Sequence, residues 1–158
     1  MLRSKGNTTF VRLALAVLAL PLMYCGGSKG GLTTPTQTAQ GPKTFPARSF
    51  SSLAPERAVF GDYTVDVAGT LQISADWTFS SDDIDVFVTS TSCSTSSYDD
   101  LLGGSGACTT LAEGIDVGEK PERATFNAAV GTYRVWVASS FLSSSNESGT
   151  LSVTLTPR

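Results

Sequence analysis

Between Ala58 and the C-terminus, apolar and polar side chains alternate in successive stretches with the period of a half-buried strand. Tyr63, Val65 and Val67 alternate with Thr64 and Asp66; after a turn at Ala68-Gly69, Leu71, Ile73, Ala75, Trp77 and Phe79 alternate with Gln72, Ser74, Asp76 and Thr78. Ile84, Val86 and Val88 share one face of the next segment, with Asp83, Asp85 and Phe87 on the other. Phe126, Ala128 and Val130 follow, then Tyr133, Val135 and Val137 with Trp136 opposed, then Leu151, Val153 and Leu155 among threonines. Gly131-Thr132 reads as a tight connection between two of these strands. No segment after Cys25 repeats at 3.6 residues, and Asp99 to Leu102 makes one helical turn at most. Six or seven strands with turn signals between them predict an all-β domain over residues 58–158. The architecture expected is an antiparallel β-sandwich, with a closed barrel as the alternative. Trp77, Phe79, Phe87, Phe126 and Tyr133 all fall in strands and are expected in its core.

The alternation is absent before Ala58. Gly26 to Arg57 is rich in Gly, Ser, Thr, Gln and Pro with widely spaced apolar residues, and reads as a disordered tether. As a flexible coil it spans roughly 30 Å. Phe45, Phe50 and Leu53 near its end either dock onto the domain or stand as scattered exposed residues. Residues 1–24 have the grammar of an export signal: Arg3, Lys5 and Arg12, then the apolar run Leu13–Leu22, too short to span a bilayer as a helix. The sequence Leu22-Met23-Tyr24-Cys25-Gly26 that follows resembles the bacterial lipobox, although Tyr24 stands where a small residue is usual. The resemblance implies removal of residues 1–24, lipidation of Cys25, and a membrane partner through the lipid anchor. Gly26 is not the Asp that retains many such lipoproteins in an inner membrane, so an outer-membrane location is favoured where there are two membranes.

Export places the rest of the chain in an oxidising compartment. With Cys25 assigned to lipid, Cys93 and Cys108 remain as a disulfide pair; the other reading is two unpaired thiols. From Ala58 onward there are 4 basic against 13 acidic residues, a balance that repels nucleic acid.

Two motifs are more specific than alternation. Ser81-Asp82-Asp83-Ile84-Asp85-Val86-Phe87-Val88 and Gly131-Thr132-Tyr133-Arg134-Val135-Trp136-Val137, followed by Ser148-Gly149-Thr150-Leu151-Ser152-Val153-Thr154-Leu155, resemble in order and spacing the bacterial pre-peptidase C-terminal (PPC) domain. The resemblance implies a jelly-roll-like sandwich, usually appended to secreted peptidases, with roles in secretion, adhesion or localisation and no peptidase activity of its own. The stretch between Cys93 and Cys108 is longer than the family leads one to expect.

Candidate chemistry begins with the acids. Asp83 and Asp85 at i and i+2 project from one strand face and repel each other unless a cation lies beside them. Calcium is one answer, held by Asp82, Asp83 and Asp85 with Glu56 and Asp62. Resemblance to the collagen-binding modules of secreted collagenases implies such a clamp. The other answer is that the acids are solvated, cap a turn, or pair with Arg123 or Arg134. Trp136, sharing parity with Arg134 and Ala138, is a candidate binding residue together with Arg134: exposed, it stacks on a sugar or anchors a protein. Otherwise the Cys93–Cys108 loop covers it. The chain has no His, so neither a Ser-His-Asp nor a Cys-His arrangement can form, and a carboxylate pair such as Asp85 with Glu113 has no spacing that asks for catalysis. The expected function is a non-catalytic, lipid-anchored module presenting a sandwich face to extracellular polysaccharide or protein, possible calcium aside without cofactors. The alternative is an accessory lipoprotein of an envelope or secretion complex.

Overall fold

A computed structural model of the chain describes residues 40–103 and 108–158. The signal segment 1–24, Cys25 and the first part of the tether lie outside the described residues. Nine strands and one helical turn follow in order: β1 (Lys43–Thr44), β2 (Arg48–Leu53), β3 (Ala58–Val65), β4 (Gly69–Trp77), β5 (Ile84–Ser90), α1 (Tyr98–Leu101), β6 (Thr110–Gly114), β7 (Glu122–Ala128), β8 (Gly131–Ser139) and β9 (Glu147–Pro157). They form two antiparallel sheets, one ordered β1-β9-β4-β7 with β2 also on β9, the other β3-β8-β5-β6. The domain is a β-sandwich.

The alternating apolar residues meet between the sheets. Leu71, Ile73, Ala75 and Trp77 of β4 and Leu151, Val153 and Leu155 of β9 face Val65, Ile84, Val86, Val88, Val135 and Val137 of the second sheet, all buried. Each such aliphatic side chain contributes roughly 1.5–3 kcal/mol by leaving water. The links decide how the layers are woven. Only β5 to β6 joins two strands of one sheet among β2 to β9; every other successive pair passes from one sheet to the other. Gly131-Thr132 therefore begins a strand that packs across from β7 instead of beside it, and the turn at Ala68-Gly69 likewise carries β3 to the opposite sheet. The ends of the expected strands are trimmed: Phe79 and Val130 lie beyond β4 and β7 and are exposed. Phe126 and Tyr133 are partly buried, with their rings edge-on 4.9 Å apart.

The boundary expected at Ala58 falls inside the folded unit. β1 and β2 come from the presumed tether and both pair with β9, Lys43 opposite Leu155 and Arg48 opposite Leu151. Leu53 is buried, and Phe45 and Phe50 pack against the core. These strands show no alternation because most of their side chains face water, and pairing to β9 satisfies their backbone regardless of side-chain pattern.

The outer face of the β3-β8-β5-β6 sheet carries a second layer. Ala58, Phe87, Trp136 and Ala138 lie beneath Cys93, Tyr98 and Leu101, all buried. Cys93 and Cys108 are bonded, with Cα atoms 5.2 Å apart. The disulfide ties both ends of this covering segment, and α1 between them supplies the apolar underside.

Candidate functional site

The cover over β8 removes the expected binding residue from the surface. Trp136 is fully buried. Its Nε1 donates to Thr89 Oγ1 at 2.9 Å, and its ring lies 4.8 Å from that of Phe60. The alternation placed Trp136 correctly on the outer face; the segment holding Cys93 and Tyr98 then closed over it. Arg134 is engaged as well. Its guanidinium grips both carboxylate oxygens of Asp62 at 2.8 and 3.0 Å, donates to the Cys93 carbonyl, and lies 3.8 Å from the Phe60 ring centre. It straps the cover to the sheet, and Asp62 is held below the usual carboxylate range chiefly by this hydrogen bond.

The five candidate calcium ligands do not form one shell. Asp62 lies opposite Arg134 and Asp85 opposite Ala138, four residues apart on β8. That is about 13 Å at strand rise, whereas calcium ligands sit about 2.5 Å from the ion. Asp82 is already saturated: it accepts from Ser144 N and Oγ and from Ser145 N at 3.0–3.2 Å, joining the β4–β5 and β8–β9 loops. Glu56 is exposed, with its backbone N–H on Ser139 and its carbonyl on Tyr98. Among the described residues no group of three or more acidic, His or Cys side chains is close enough to hold an ion. The five acids as placed do not fit one calcium ion.

Asp85 sits under α1, where its carboxylate accepts from the Tyr98 hydroxyl while its Oδ1 has no partner. Burial, with the Tyr98 bond opposing and the charges of Asp83, Glu113 and Asp116 adding, pushes it up to about 6. Glu122 on β7, fully buried, is pushed up to about 7, first by burial and against nearby backbone N–H groups, with Asp85 and Asp116 adding. Raised carboxylates bind protons more tightly folded than unfolded. Their stabilisation is therefore complete below the unfolded values near 4 and is lost as pH rises through about 6 and 7. Asp62 and Asp66, both lowered by their basic partners, act oppositely and lose their contribution only below pH 4. The melting temperature is thus expected to peak near pH 4 and to fall by on the order of 5 °C toward pH 8. Scanning calorimetry across that range tests this, and Asp85→Asn should flatten the slope. A stability rising steadily from pH 5 to 8 would contradict the assignment.

The open feature of the fold lies elsewhere, between edge strands β2 and β3 of the two sheets. One depression of about 420 Å³ has an apolar floor of Phe50, Val59, Phe60, Val137 and Leu151 with Ser49 and Ser51 on its rim. A second, of about 470 Å³, is lined by Lys43, Phe45, Pro46, Asp62, Tyr63 and Thr64. Arg48 borders both. Its side chain crosses Gly61, where a Cβ would lie 2.7 Å from Arg48 Cδ, so the absence of a side chain there lets the arginine lie across the trough. Tyr63 is 3% exposed and its hydroxyl has no partner. Burial raises the phenol above its ordinary value, against the pull of nearby Arg48. Sequence reading missed this site because its residues come from two sheets and one of its walls from the presumed tether. Arg48 facing Gly61 leaves no mark in a linear pattern.

No protein-family model matches the chain, and no curated protein matches it. Among solved structures, it is similar to the 1.0 Å crystal structure of the pre-peptidase C-terminal domain of a collagenase from Bacillus anthracis. The two share 16% identity over 69% of this chain and 87% of that one, with a TM-score of 0.44. A likeness of that size carries no argument about site or activity; the sandwich is established by the strand pairing itself.

Proposed function

We propose that the protein is a non-catalytic binding module, anchored through lipid on Cys25 outside the cytoplasm, that presents the β2–β3 trough to a polypeptide partner. One observation carries the reading: the sandwich leaves one flank open, with an apolar floor, a free cation and an unpaired strand edge in one place. The polypeptide is preferred over polysaccharide because, Phe50 of the floor apart, the rings of the flank are already faced by cations or buried. Phe60 is covered by Arg134, Phe45 by Lys43 and Tyr63 by Arg48, and Trp136 is buried. An exposed strand edge also suits an accessory subunit of an envelope complex, which is the same chemistry serving an assembly. The outer membrane is the favoured location where there are two.

Two measurements test it. In a bacterial host the full chain should incorporate labelled palmitate and the Cys25→Ala chain should not; equal labelling of both would remove the anchor. A photoreactive residue at Val59, on the trough, should give a discrete adduct on intact cells, and one at the distant, exposed Val117 should not. Adducts from both positions or from neither would remove the trough as the docking face.

A further inference from the structure

We infer that the trough takes an extended, acidic polypeptide segment, added along the free edge of β3 with its carboxylate on Arg48 and Tyr63. The inference rests on the binding-module reading and specifies its ligand.

The edge comes first. β3 pairs with β8 on one side alone. On its other side Ala58 N–H reaches the Ser96 carbonyl, and the Asp62 carbonyl accepts a long, 3.4 Å bond from Arg48. Outward backbone groups recur every second residue of an edge strand, so Phe60, Asp62 and Thr64 present theirs to the trough. An added strand meets such a row with its own backbone and sends alternate side chains into the apolar floor.

The carboxylate follows from charge. Lys43, Lys120, Arg123 and Arg134 each have a carboxylate within 4 Å, whereas Arg48, like Arg57 and Arg158, has none among the described residues; Arg48 alone of these three borders the trough. Beyond its closeness to the Tyr63 phenol, its polar contact there is the long bond to Asp62, which leaves the fork of N–H donors open to a bidentate acid. Beside it lies the Tyr63 ring, its centre 5.4 Å from the guanidinium, with a buried hydroxyl that lacks an acceptor. A buried polar group left unpaired is costly, and a carboxylate between phenol and guanidinium satisfies both. The domain is otherwise acidic, so an acidic segment is repelled from the remaining surface and its position is thereby set.

The test measures binding of the full chain to a dye-labelled hexapeptide, Ser-Val-Thr-Val-Ser-Glu with a free C-terminus, by fluorescence anisotropy. Its Gln, C-terminal amide counterpart and an oligogalacturonate serve as comparators. The acidic peptide should bind at least about 10-fold more tightly than the amide. Arg48→Ala should abolish that difference, Arg48→Lys should restore part of it, and Tyr63→Phe should weaken binding about 3-fold; Arg123→Ala should leave it unchanged. Gly61→Ala, which displaces Arg48 without deleting it, should weaken binding like Tyr63→Phe. Equal affinity for the two peptides, no binding of either, or indifference to Arg48→Ala in a chain with unaltered circular dichroism overturns the inference. Arg48-dependent binding of oligogalacturonate without the peptide overturns the ligand class while the module reading stands. A silent photoreactive residue at Val59 removes that reading itself.

Discussion

Trp136→Ala is expected to destabilise the domain by about 3–5 kcal/mol, the largest effect of any single substitution proposed for it. The indole is fully buried, between the sheet and the segment that covers it, and joins both neighbouring strands to its own. Phe60 of β3 lies 4.8 Å away, Thr89 of β5 accepts its N–H, and Arg134 stacks near its face. Removing it leaves a cavity roofed by a loop and orphans the Thr89 hydroxyl from that donor. Urea unfolding followed by far-ultraviolet circular dichroism gives the number. A loss below about 1 kcal/mol would mean that the cover collapses onto the vacated space, and that Trp136 is not the pin of the second layer.

Replacing both cysteines, Cys93→Ser with Cys108→Ser, should cost about 3 kcal/mol, the entropy returned to the unfolded chain when a loop of 15 residues is no longer closed. The accompanying signal is more specific. With its ends untied, the segment carrying Tyr98 and Leu101 should open more often above Trp136, red-shifting its emission and exposing it to acrylamide. Trp77 is buried between the sheets and supplies the unshifted reference. Arg134 still bonds the Cys93 carbonyl and Tyr98 still bonds Asp85, so the cover should loosen without leaving. Full stability with unchanged quenching in the double variant would show that these polar straps and α1 hold the layer unaided.

The two experiments address one architectural feature from opposite sides; Trp136→Ala reaches the trough through Phe60, which lines it and packs on the indole, whereas the cysteine replacement leaves the trough residues alone. Gly61, Arg48 and Tyr63 lie on the β2–β3 flank, while the disulfide and α1 lie over the outer face of β8 and β5. Binding by the trough should therefore survive moderate loosening of the cover.

The strand pairing decided for two layers; alternation along β4, β5, β8 and β9 was enough to assign an antiparallel all-β domain, sandwich or closed barrel, because the direction of a strand side chain is a local property that reverses at every residue. It also named the inner face: Leu71, Ile73, Val86, Val135, Val153 and Leu155 are all buried where their parity put them. Cys93 and Cys108 are bonded, as the sequence reading expected on the premise that Cys25 is lipidated and the chain exported. Parity says nothing about what covers the opposite face, and there tertiary structure ruled. Trp136 and Asp85 vanish beneath a segment whose own sequence, rich in Ser and Thr, shows no period at all. Asp62, Asp82 and Asp85, close in composition and motif, are separated by the course of β3, β5 and β8 and drawn to different partners. β1 and β2 fold because β9 has an unpaired edge to offer them, a reason that lies about 100 residues away in the chain. The trough arises the same way, from two edges that meet only after both sheets have formed. What is local in the backbone could be read from the chain; which faces, edges and charges meet depends on contacts between distant segments, and only the folded arrangement decides them.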